Sequence, residues 1–425
     1  MNSKTAELLA RRERLLGPNV PTFYENPVHL VRGEGVWLWD ADGRRYLDCY
    51  NNVPHVGHGH PRVVEAIARQ SALLNTHTRY LHEGILDYAE RLTGKLGHDL
   101  RQIIMVCTGS EANDIALRMA QAVTGKTGYI ATDNTYHGNT TAVAHLSTRR
   151  PPIGGWPSNI RRVPAPDALA PLGGSVEAQP QAFADNVARA ISELEAAGHG
   201  FAGLMLCPIF ANEGIVPGVA PGFLDPTVEV IRRAGGLILC DEVQPGFGRV
   251  GSHWWGHEWL GFVPDVVTMG KPMGNGHPVA AVVARPDVMT AFREAFGYFN
   301  TFGGNPVACA AAMAVLDVIE DEDLIANARK LGAEVLEGLR GIRHPLIHDA
   351  RGAGLFFGIE LARDGKPAPD AAGRVVERMR EEGILMGRGG REQHILKIRP
   401  PMVFDQSHAD LLISTLSRVL AEIPA

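Results

Sequence analysis

Residues 237–249 read LILCDEVQPGFGR, and residues 266–276 read VVTMGKPMGNG. Each stretch opens with an apolar run of strand length and then turns polar, which places Asp241 and Gln244 at the end of the first run and Lys271 at the end of the second. The carboxyl ends of parallel strands meet at one edge of a sheet, where α/β proteins bind ligands. We therefore expect a carboxylate and an amine at that edge.

This pair of side chains suits pyridoxal phosphate chemistry. A carboxylate beside the pyridine nitrogen keeps the ring protonated and electron-accepting, while a lysine forms a Schiff base and moves protons. Asp241 is otherwise a residue that caps a turn, but burying a carboxylate behind LILC is costly unless a cation answers it. Lys271 needs a pKa low enough for nucleophilic attack, which burial beside other cations produces.

Short apolar segments alternate with helix-length segments from residue 61 onward. Strands that are apolar throughout indicate a mostly parallel sheet with both faces covered, so the fold class is α/β. The Pro- and Gly-rich residues 149–175 are expected to form a long surface loop. The predicted strands are IIMVC (103–107), GYIAT (128–132), GLMLC (203–207), LILCD (237–241), VVTMG (266–270) and AAVVA (280–284).

Three parts follow one another along the chain. Residues 1–60 form an N-terminal segment, with a helix at 5–16 and a β-hairpin around Asp42-Gly43, that packs with the small domain. Residues 61–307 form the large cofactor-binding domain, and residues 308–425 form a smaller α+β C-terminal domain. The elements predicted in this last part are helices from 308, near 324–341 and at 370–382, and the strands GLFFGIEL (354–361) and HILKIRPP (394–401).

Composition narrows the range of partners. The chain has 425 residues, of which 45% are hydrophobic and 21% charged, enough to bury a sizeable core. A net charge of -6 without a basic run disfavours nucleic acid and leaves small molecules. No segment approaches the roughly 20 apolar residues of a membrane span. Five cysteines without a CxxC pattern, and an N-terminus without an apolar signal region, predict a reduced, cytoplasmic location.

Two loops at the sheet edge offer cofactor contacts. TGSEANDIALRMA (108–120) opens a helix after a strand, so Gly109 and Ser110 can bind a phosphate there, although a plain helix cap fits the tetrapeptide equally well. In DNTYHGNTT (133–141), Tyr136 can stack on a pyridine ring. Taken alone, Tyr136 and His137 are more often ordinary packed and structural residues.

Two further features are candidate sites. NNVPHVGHGHP places three histidines, His55, His58 and His60, close together, but no carboxylate or cysteine pattern accompanies them, so we expect a structural turn and no metal. Arg399 ends the strand of ILKIRPP. Its forked guanidinium suits a substrate carboxylate, and a surface ion pair is an equally good interpretation of the residue alone.

Together these residues resemble the class III aminotransferases, the pyridoxal phosphate enzymes of fold type I. The resemblance extends over essentially the whole chain, from GVWLWDADGRRYLDCYNNVPHVGHGHP through GSEAN, YHG, DEVQPGFGRVG, PDVVTMGKPMGNGHP and YFNTFGGNP to RGAGLFFGIEL and KIRPP. It implies a homodimer with shared active sites. It also assigns roles: Lys271 to the Schiff base, Asp241 to the ring nitrogen, Gln244 to the hydroxyl side, Gly109 and Ser110 to the phosphate, Tyr136 to stacking, His137 alongside, and Thr301 to the partner's cofactor phosphate.

Two departures bear on the reaction. Cys207-Pro208 stands where many members carry Glu-Pro, which removes a carboxylate near the cofactor, whereas Arg399 stands where eukaryotic phospholyases are expected to carry lysine. Arg399 favours an aminotransferase that passes an amino group from an amine or amino acid to a keto acid such as pyruvate or glyoxylate. The alternative is an ammoniophospholyase acting on a substrate such as phosphoethanolamine, with Arg79, Arg249 and Arg399 as candidates to bind the substrate anion.

Overall fold

The computed structural model describes residues 3–147 and 150–424. The strands are β1 Leu30–Glu34, β2 Trp37–Asp40, β3 Arg45–Asp48, β4 Gln102–Val106, β5 Tyr129–Thr132, β6 Ile160–Val163, β7 Gly203–Leu206, β8 Leu237–Asp241, β9 Val266–Met269, β10 Ala280–Ala284, β11 Ile347–Ala353, β12 Phe356–Arg363, β13 Lys366–Pro367, β14 Ile384–Leu385, β15 Gly387–Gly389 and β16 Ile395–Ile398. The helices are α1 Ser3–Leu16, α2 Pro61–Leu73, α3 Glu83–Thr93, α4 Gly109–Thr124, α5 Thr141–Leu146, α6 Gln179–Ala196, α7 Asp225–Ala234, α8 Gly256–Leu260, α9 Pro286–Ala295, α10 Pro306–Asp321, α11 Leu324–Gly341, α12 Pro369–Glu381 and α13 Gln406–Ala421.

The central sheet has seven strands in the order β4-β10-β9-β8-β7-β5-β6. Strands β9, β8, β7, β5 and β6 run parallel, and only β10 runs against its two neighbours. Alternate residues of the strands enter two separate hydrophobic clusters, one under α4 and α9 and the other under α6 and α7. This arrangement confirms the predicted α/β class with a mostly parallel sheet, because continuous apolar runs serve two covered faces.

One prediction was wrong: residues 149–175 are not loop throughout. They contain β6, which pairs in parallel with β5 at the edge of the sheet, and Arg149 lies outside the described residues. The apolar pattern does not reveal this strand, because two of its four residues are arginines. A strand at the edge of a sheet can carry such charged residues. Arg161 pairs with Glu193 at 2.9 Å, and the guanidinium of Arg162 lies 4.2 Å from the ring centroid of Trp156.

The two ends of the chain meet beside this sheet. The predicted hairpin is present as β2 and β3, with Gly43 at a φ of 82° in the turn, and β1 adds a strand that was not predicted. β14 pairs in parallel with β3, so a C-terminal strand completes the N-terminal sheet. A further sheet, β11-β12-β16-β15 with β13, packs against α11 and α12.

The cysteines of the described residues form no disulfide bond. All five cysteines are free, and four of them are buried. Among the described residues, no helix combines the length and the apolar character that crossing a bilayer requires.

Candidate active site

A cavity of about 230 Å³ opens at the carboxyl edge of the central sheet. We call it the inner cavity. Its lining brings together residues that follow β4, β5, β8 and β9, far apart in sequence, as expected for an open α/β sheet. Seven of the predicted site residues line it: Gly109, Ser110, Tyr136, His137, Asp241, Gln244 and Lys271.

Asp241, the last residue of β8, is held rigidly in this cavity. Its Oδ2 accepts hydrogen bonds from His137 Nδ1 at 2.6 Å and from Asn113 Nδ2 at 3.1 Å, and its Oδ1 accepts from the Val243 amide at 3.0 Å. Thr268 Oγ1 in turn donates to Asn113 Oδ1 at 2.6 Å. These contacts fix a buried carboxylate in one orientation, with lone pairs left for a cation in the cavity.

The first turn of α4 forms the opposite wall. Thr108 caps the helix, and Glu111 closes a capping box by accepting from the Thr108 amide at 2.9 Å. The backbone N–H groups of Gly109 and Ser110 have no acceptor among the described residues. Two free N–H groups at a helix N-terminus form a ready site for a phosphate.

Close approaches at two glycines shape this wall. A Cβ on Gly109 would lie 2.9 Å from Val243 Cγ2, and one on Gly138 would lie 2.5 Å from Ser110 Oγ. Gly138 also has a φ of 144°, and the neighbouring Asn139 amide donates to Ser110 Oγ at 3.0 Å. Gly109-Ser110 and His137-Gly138 therefore pack directly against each other.

Lys271 stands two residues after β9 and lines the same cavity. Burial, followed by the positive charge of Arg399, lowers the pKa of Lys271, and Asp241 only partly opposes this. Among the described residues, no hydrogen bond to its Nζ contributes to this shift. A free amine of lowered pKa is the nucleophile that the sequence predicts.

A second space of about 370 Å³, the outer cavity, continues from the inner one and shares Tyr136, Gln244 and Lys271 with it. Arg399 donates through Nε to the Tyr50 carbonyl at 2.8 Å and through Nη1 to Gln244 Oε1 at 2.5 Å. None of the described residues that line this space is acidic. The outer cavity is therefore positively charged.

Lys397 is the site residue that the sequence interpretation missed. Its Nζ lies in the outer cavity and donates to the Ala211 carbonyl at 2.6 Å, to Asn212 Oδ1 at 3.3 Å and to Gln244 Oε1 at 3.4 Å. Burial, then the charge of Arg399, lowers its pKa well below the usual lysine value. The signal was present in ILKIRPP, because Lys397 in β16 and Arg399 directly after it are two residues apart in extended chain and so face the same side.

Three predicted residues lie outside both cavities. Arg249 is completely buried, and its Nη1 donates to the carbonyl groups of Leu355 at 2.9 Å and Pro400 at 2.7 Å, which joins the loop after β8 to two segments of the C-terminal part. Burial lowers the pKa of Arg249 to about 9. Arg79 is exposed, with its guanidinium 3.8 Å from the ring centroid of Phe299, and Thr301 is exposed nearby.

The histidines of NNVPHVGHGHP point to separate partners. His55 Nε2 lies 2.8 Å from the Phe247 carbonyl oxygen, His58 Nε2 lies 2.7 Å from Asp48, and His60 Nε2 lies 3.2 Å from Glu322. Three rings with three partners serve as structural contacts. They do not converge on a common point, as the ligands of one metal ion must.

The inner cavity fits pyridoxal phosphate. A fixed carboxylate, a free amine of lowered pKa, an accessible aromatic ring and two free N–H groups match the ring nitrogen, aldehyde, ring face and phosphate of that cofactor. An α/β sheet with these groups at its carboxyl edge is typical of the pyridoxal phosphate enzymes. The model of the family "Aminotransferase class-III" matches residues 21–420, and the chain belongs to this family, whose members use pyridoxal phosphate.

The chain is similar both to a protein named as aminotransferase-like and to proteins named as phospholyases. An alanine–glyoxylate aminotransferase 2-like protein of Drosophila melanogaster is 40% identical over 96% of this chain and 85% of its own length. An ethanolamine-phosphate phospho-lyase homolog of Caenorhabditis elegans is 36% identical over 97% of this chain and 93% of its own. A solved phospholyase from Arthrobacter in complex with phosphoethanolamine is 43% identical, covers 98% of this chain and 100% of its own, and superposes with a TM-score of 0.94.

Proposed function

We propose that this enzyme is an ammoniophospholyase that eliminates phosphate and ammonia from a short phosphorylated amino alcohol such as phosphoethanolamine. The observation that carries the proposal is a pair of buried basic side chains in the outer cavity. Lys397 is 4% exposed and Arg399 is 7% exposed, and no carboxylate of the described residues lies within ion-pair distance of either. A buried basic group without a counter-ion is costly to charge, and a bound anion relieves that cost.

The charge of the cavity suits phosphate better than carboxylate. A phosphate monoester carries about two negative charges near neutral pH, whereas a carboxylate carries one. Arg399 alone would satisfy a carboxylate, but Lys397 adds a second cation beside it. The sequence interpretation favours transamination because it counts Arg399 only.

Cys207 supports the same conclusion. It lines the inner cavity where many members of the family carry a glutamate, and burial, followed by the charge of Asp241, raises the pKa of its thiol well above the usual value. An uncharged thiol leaves both cations free for the substrate. The solved relative that binds phosphoethanolamine is consistent with this assignment.

Each group in the two cavities has a separate task. When bound, pyridoxal phosphate supplies an electron-accepting ring that stabilises negative charge on the substrate carbon beside the amine. Asp241 holds a proton on the ring nitrogen, and the α4 N-terminus holds the cofactor phosphate. Lys271 Nζ takes the proton from that substrate carbon, while Arg399 and Lys397 bind the substrate phosphate.

Transamination is the second candidate, and Arg399 is the observation that favours it. Its Nη2 has no partner among the described residues, so it can still bind a carboxylate of an amino or keto acid. The aminotransferase-like relative of Drosophila is consistent with this reaction.

One assay separates the two reactions. The holoenzyme is incubated with phosphoethanolamine and no keto acid, and inorganic phosphate is measured over many turnovers, with ethanolamine and Lys271→Ala as controls. Sustained phosphate release supports elimination. Loss of an amino group that requires pyruvate or glyoxylate, without phosphate release, would replace it by transamination.

We also propose that two copies of the chain share their active sites. Thr301 and Arg79 lie outside their own cavities, on an exposed apolar surface formed by Leu73, Tyr80, Leu81, Phe299 and Phe302. Leu81 is 99% exposed and Leu73 is 75% exposed. An exposed apolar surface of this kind is expected to be covered by a partner, here a second copy.

A further inference from the structure

Lys397 and Arg399 share a cavity but differ in what they can do. A guanidinium is a much weaker acid than an ammonium, even though burial lowers the pKa of Arg399, so Arg399 can bind and orient a phosphate without transferring a proton to it. Lysine can lose its proton when it is buried. The three hydrogen-bond acceptors around Lys397 Nζ are a backbone carbonyl and two side-chain amides, all uncharged. Nothing negative locks the proton on this amine.

The charged groups around Lys397 come from four segments. Arg399 just after β16 and Lys271 after β9 disfavour the ammonium, while the buried Glu213 favours it, and Cys207 after β7 favours it only where its thiol is ionised. Glu213 is turned away, because its Oε1 accepts from Thr132 Oγ1 at 2.6 Å and its Oε2 accepts from the Asn212 amide at 3.1 Å. The amine therefore sits in a net positive environment until an anion enters.

Phosphate elimination needs a proton at the leaving group. If the C–O bond of a phosphate dianion broke unassisted, the electron pair would leave on a trianion, which is a strong base and a poor leaving group. A proton delivered to the departing oxygen gives hydrogen phosphate dianion instead.

Building on the proposed elimination, we propose that Lys397 is the general acid that protonates the departing phosphate, while Arg399 only holds it. As the C–O bond breaks, its electron pair stays on the phosphate oxygen, and one proton passes to that oxygen from the Lys397 ammonium. The electron pair left by Lys271 at the neighbouring carbon forms the carbon–carbon double bond. The products of this step are hydrogen phosphate, an unsaturated amine that water later converts into ammonia and a carbonyl compound, and a neutral Lys397 amine, which regains a proton from water.

The test compares two leaving groups in Lys397→Arg holoenzyme. This variant keeps the positive charge, but its guanidinium is too weak an acid to give up a proton. With phosphoethanolamine we expect kcat to fall by about 100-fold with little change in KM, which is the size of a lost general acid. With O-sulfoethanolamine, whose sulfate leaves as a stable dianion without a proton, we expect kcat to change by no more than about 3-fold against wild type.

A binding measurement checks the proton without turnover. Inorganic sulfate does not titrate near neutral pH, so proton uptake when it binds the holoenzyme reports on the protein. We expect calorimetry in buffers of different ionisation enthalpy to show uptake above neutral pH in wild type and none in Lys397→Arg. Lys397→Gln, which keeps an N–H donor for the Ala211 carbonyl, is a second variant should arginine not fit, and it should show the same preference for sulfate as leaving group.

The outcomes are distinct. Equal slowing of both substrates, or a change in KM alone, would overturn the general-acid role and leave Lys397 as a binding residue. Arg399→Lys is the matched control and should raise KM for both substrates alike. Absence of phosphate release by the wild type would instead remove the proposed function, a result that the wild-type reaction reports separately.

Discussion

His137 illustrates how one side chain acts through another. It was expected to lie alongside the cofactor, and its ring reaches Asp241 on one side, while its Nε2 lies 3.1 Å from Thr135 Oγ1 on the other. His137 is 3% exposed, and among the described residues its ring nitrogens make these two hydrogen-bond contacts. We interpret His137 as the residue that orients the Asp241 carboxylate.

Replacing His137 by phenylalanine should weaken the cofactor site. Loss of a hydrogen bond to a charged group costs about 1.5 to 3 kcal/mol, which corresponds to about 10- to 100-fold weaker binding of pyridoxal phosphate. Titration of the apoenzyme, followed by absorbance, measures this affinity. Thr135→Val is the control, because it removes only the far contact and should have a smaller effect. Unchanged affinity in His137→Phe would show that Asp241 needs no support from the ring.

Lys397 should also affect the pH dependence of stability. Its pKa is lowered in the folded protein, so the unfolded chain binds more protons between the folded pKa and the ordinary lysine pKa of about 10.4. The free energy of unfolding of wild type should therefore rise with pH across this window relative to Lys397→Met. Denaturant unfolding of both proteins at a series of alkaline pH values measures the difference. A difference independent of pH would mean that Lys397 has the same pKa in both states.

At the scale of elements, helix α4 and the loop after β5 pack together as one unit, to which we assign the binding of the cofactor phosphate. Gly138→Ala should separate them, because its Cβ would meet Ser110 and its φ is unfavourable for alanine. We expect the purified variant to carry little cofactor, as measured by absorbance after dialysis. Gly125→Ala at the other end of α4 is the control: φ is 66° but the space is open, so about 1 kcal/mol of stability should be lost with the cofactor retained. Full cofactor occupancy in Gly138→Ala would contradict this view.

The loop after β7 is a strained element that carries part of the outer cavity. Ile215 and Val216 are β-branched residues with φ values of 57° and 51°, a conformation that costs energy and needs support. Arg351 supplies it by donating to the carbonyl groups of Gly214 at 2.7 Å and Ile215 at 2.9 Å. The same loop presents the Ala211 carbonyl to Lys397.

Removing Arg351 should therefore affect both stability and substrate binding. Arg351→Met leaves its buried partner Glu360, 2.8 Å away, with only His394 as an ion-pair partner, and breaking a buried pair costs about 3 to 5 kcal/mol. We expect a lower free energy of unfolding in denaturant and a higher KM for the anionic substrate. Arg363→Met, which loses only an exposed contact to the Pro424 carbonyl at 3.1 Å, should change neither. A destabilised variant with unchanged KM would separate the loop from the cavity.

At the scale of the whole molecule, the exposed apolar surface around Leu81 should hold two copies together. Leu81→Glu places a charge at its most exposed point and should convert a dimer into monomers with much reduced activity. Light scattering with size-exclusion chromatography measures the mass. Leu411→Glu on α13, where the leucine is 40% exposed, is the matched control and should stay dimeric. A wild-type protein that is monomeric and fully active would refute shared active sites.

Much of this architecture follows from the amino-acid sequence alone. The apolar runs predicted six strands of the central sheet, because an apolar run is a local property of the chain. The change to polar residues after two of these runs predicted that Asp241 and Lys271 stand at strand ends. The edge strand β6 was not predicted because its two arginines interrupt the apolar run by which the other strands are recognised. β1 was likewise unmarked by a strong pattern.

The identity of a basic residue does not reveal which groups surround its side chain in the folded protein. Arg249, Lys397 and Arg399 are three buried basic residues, yet one binds backbone carbonyl groups across the molecule while two face the cavity. Their partners come from segments more than 100 residues away, such as Leu355 for Arg249 and Gln244 for Lys397. Local pattern places a side chain on a face of a strand, but its charge environment, and hence its role, depends on which distant segments pack against that face.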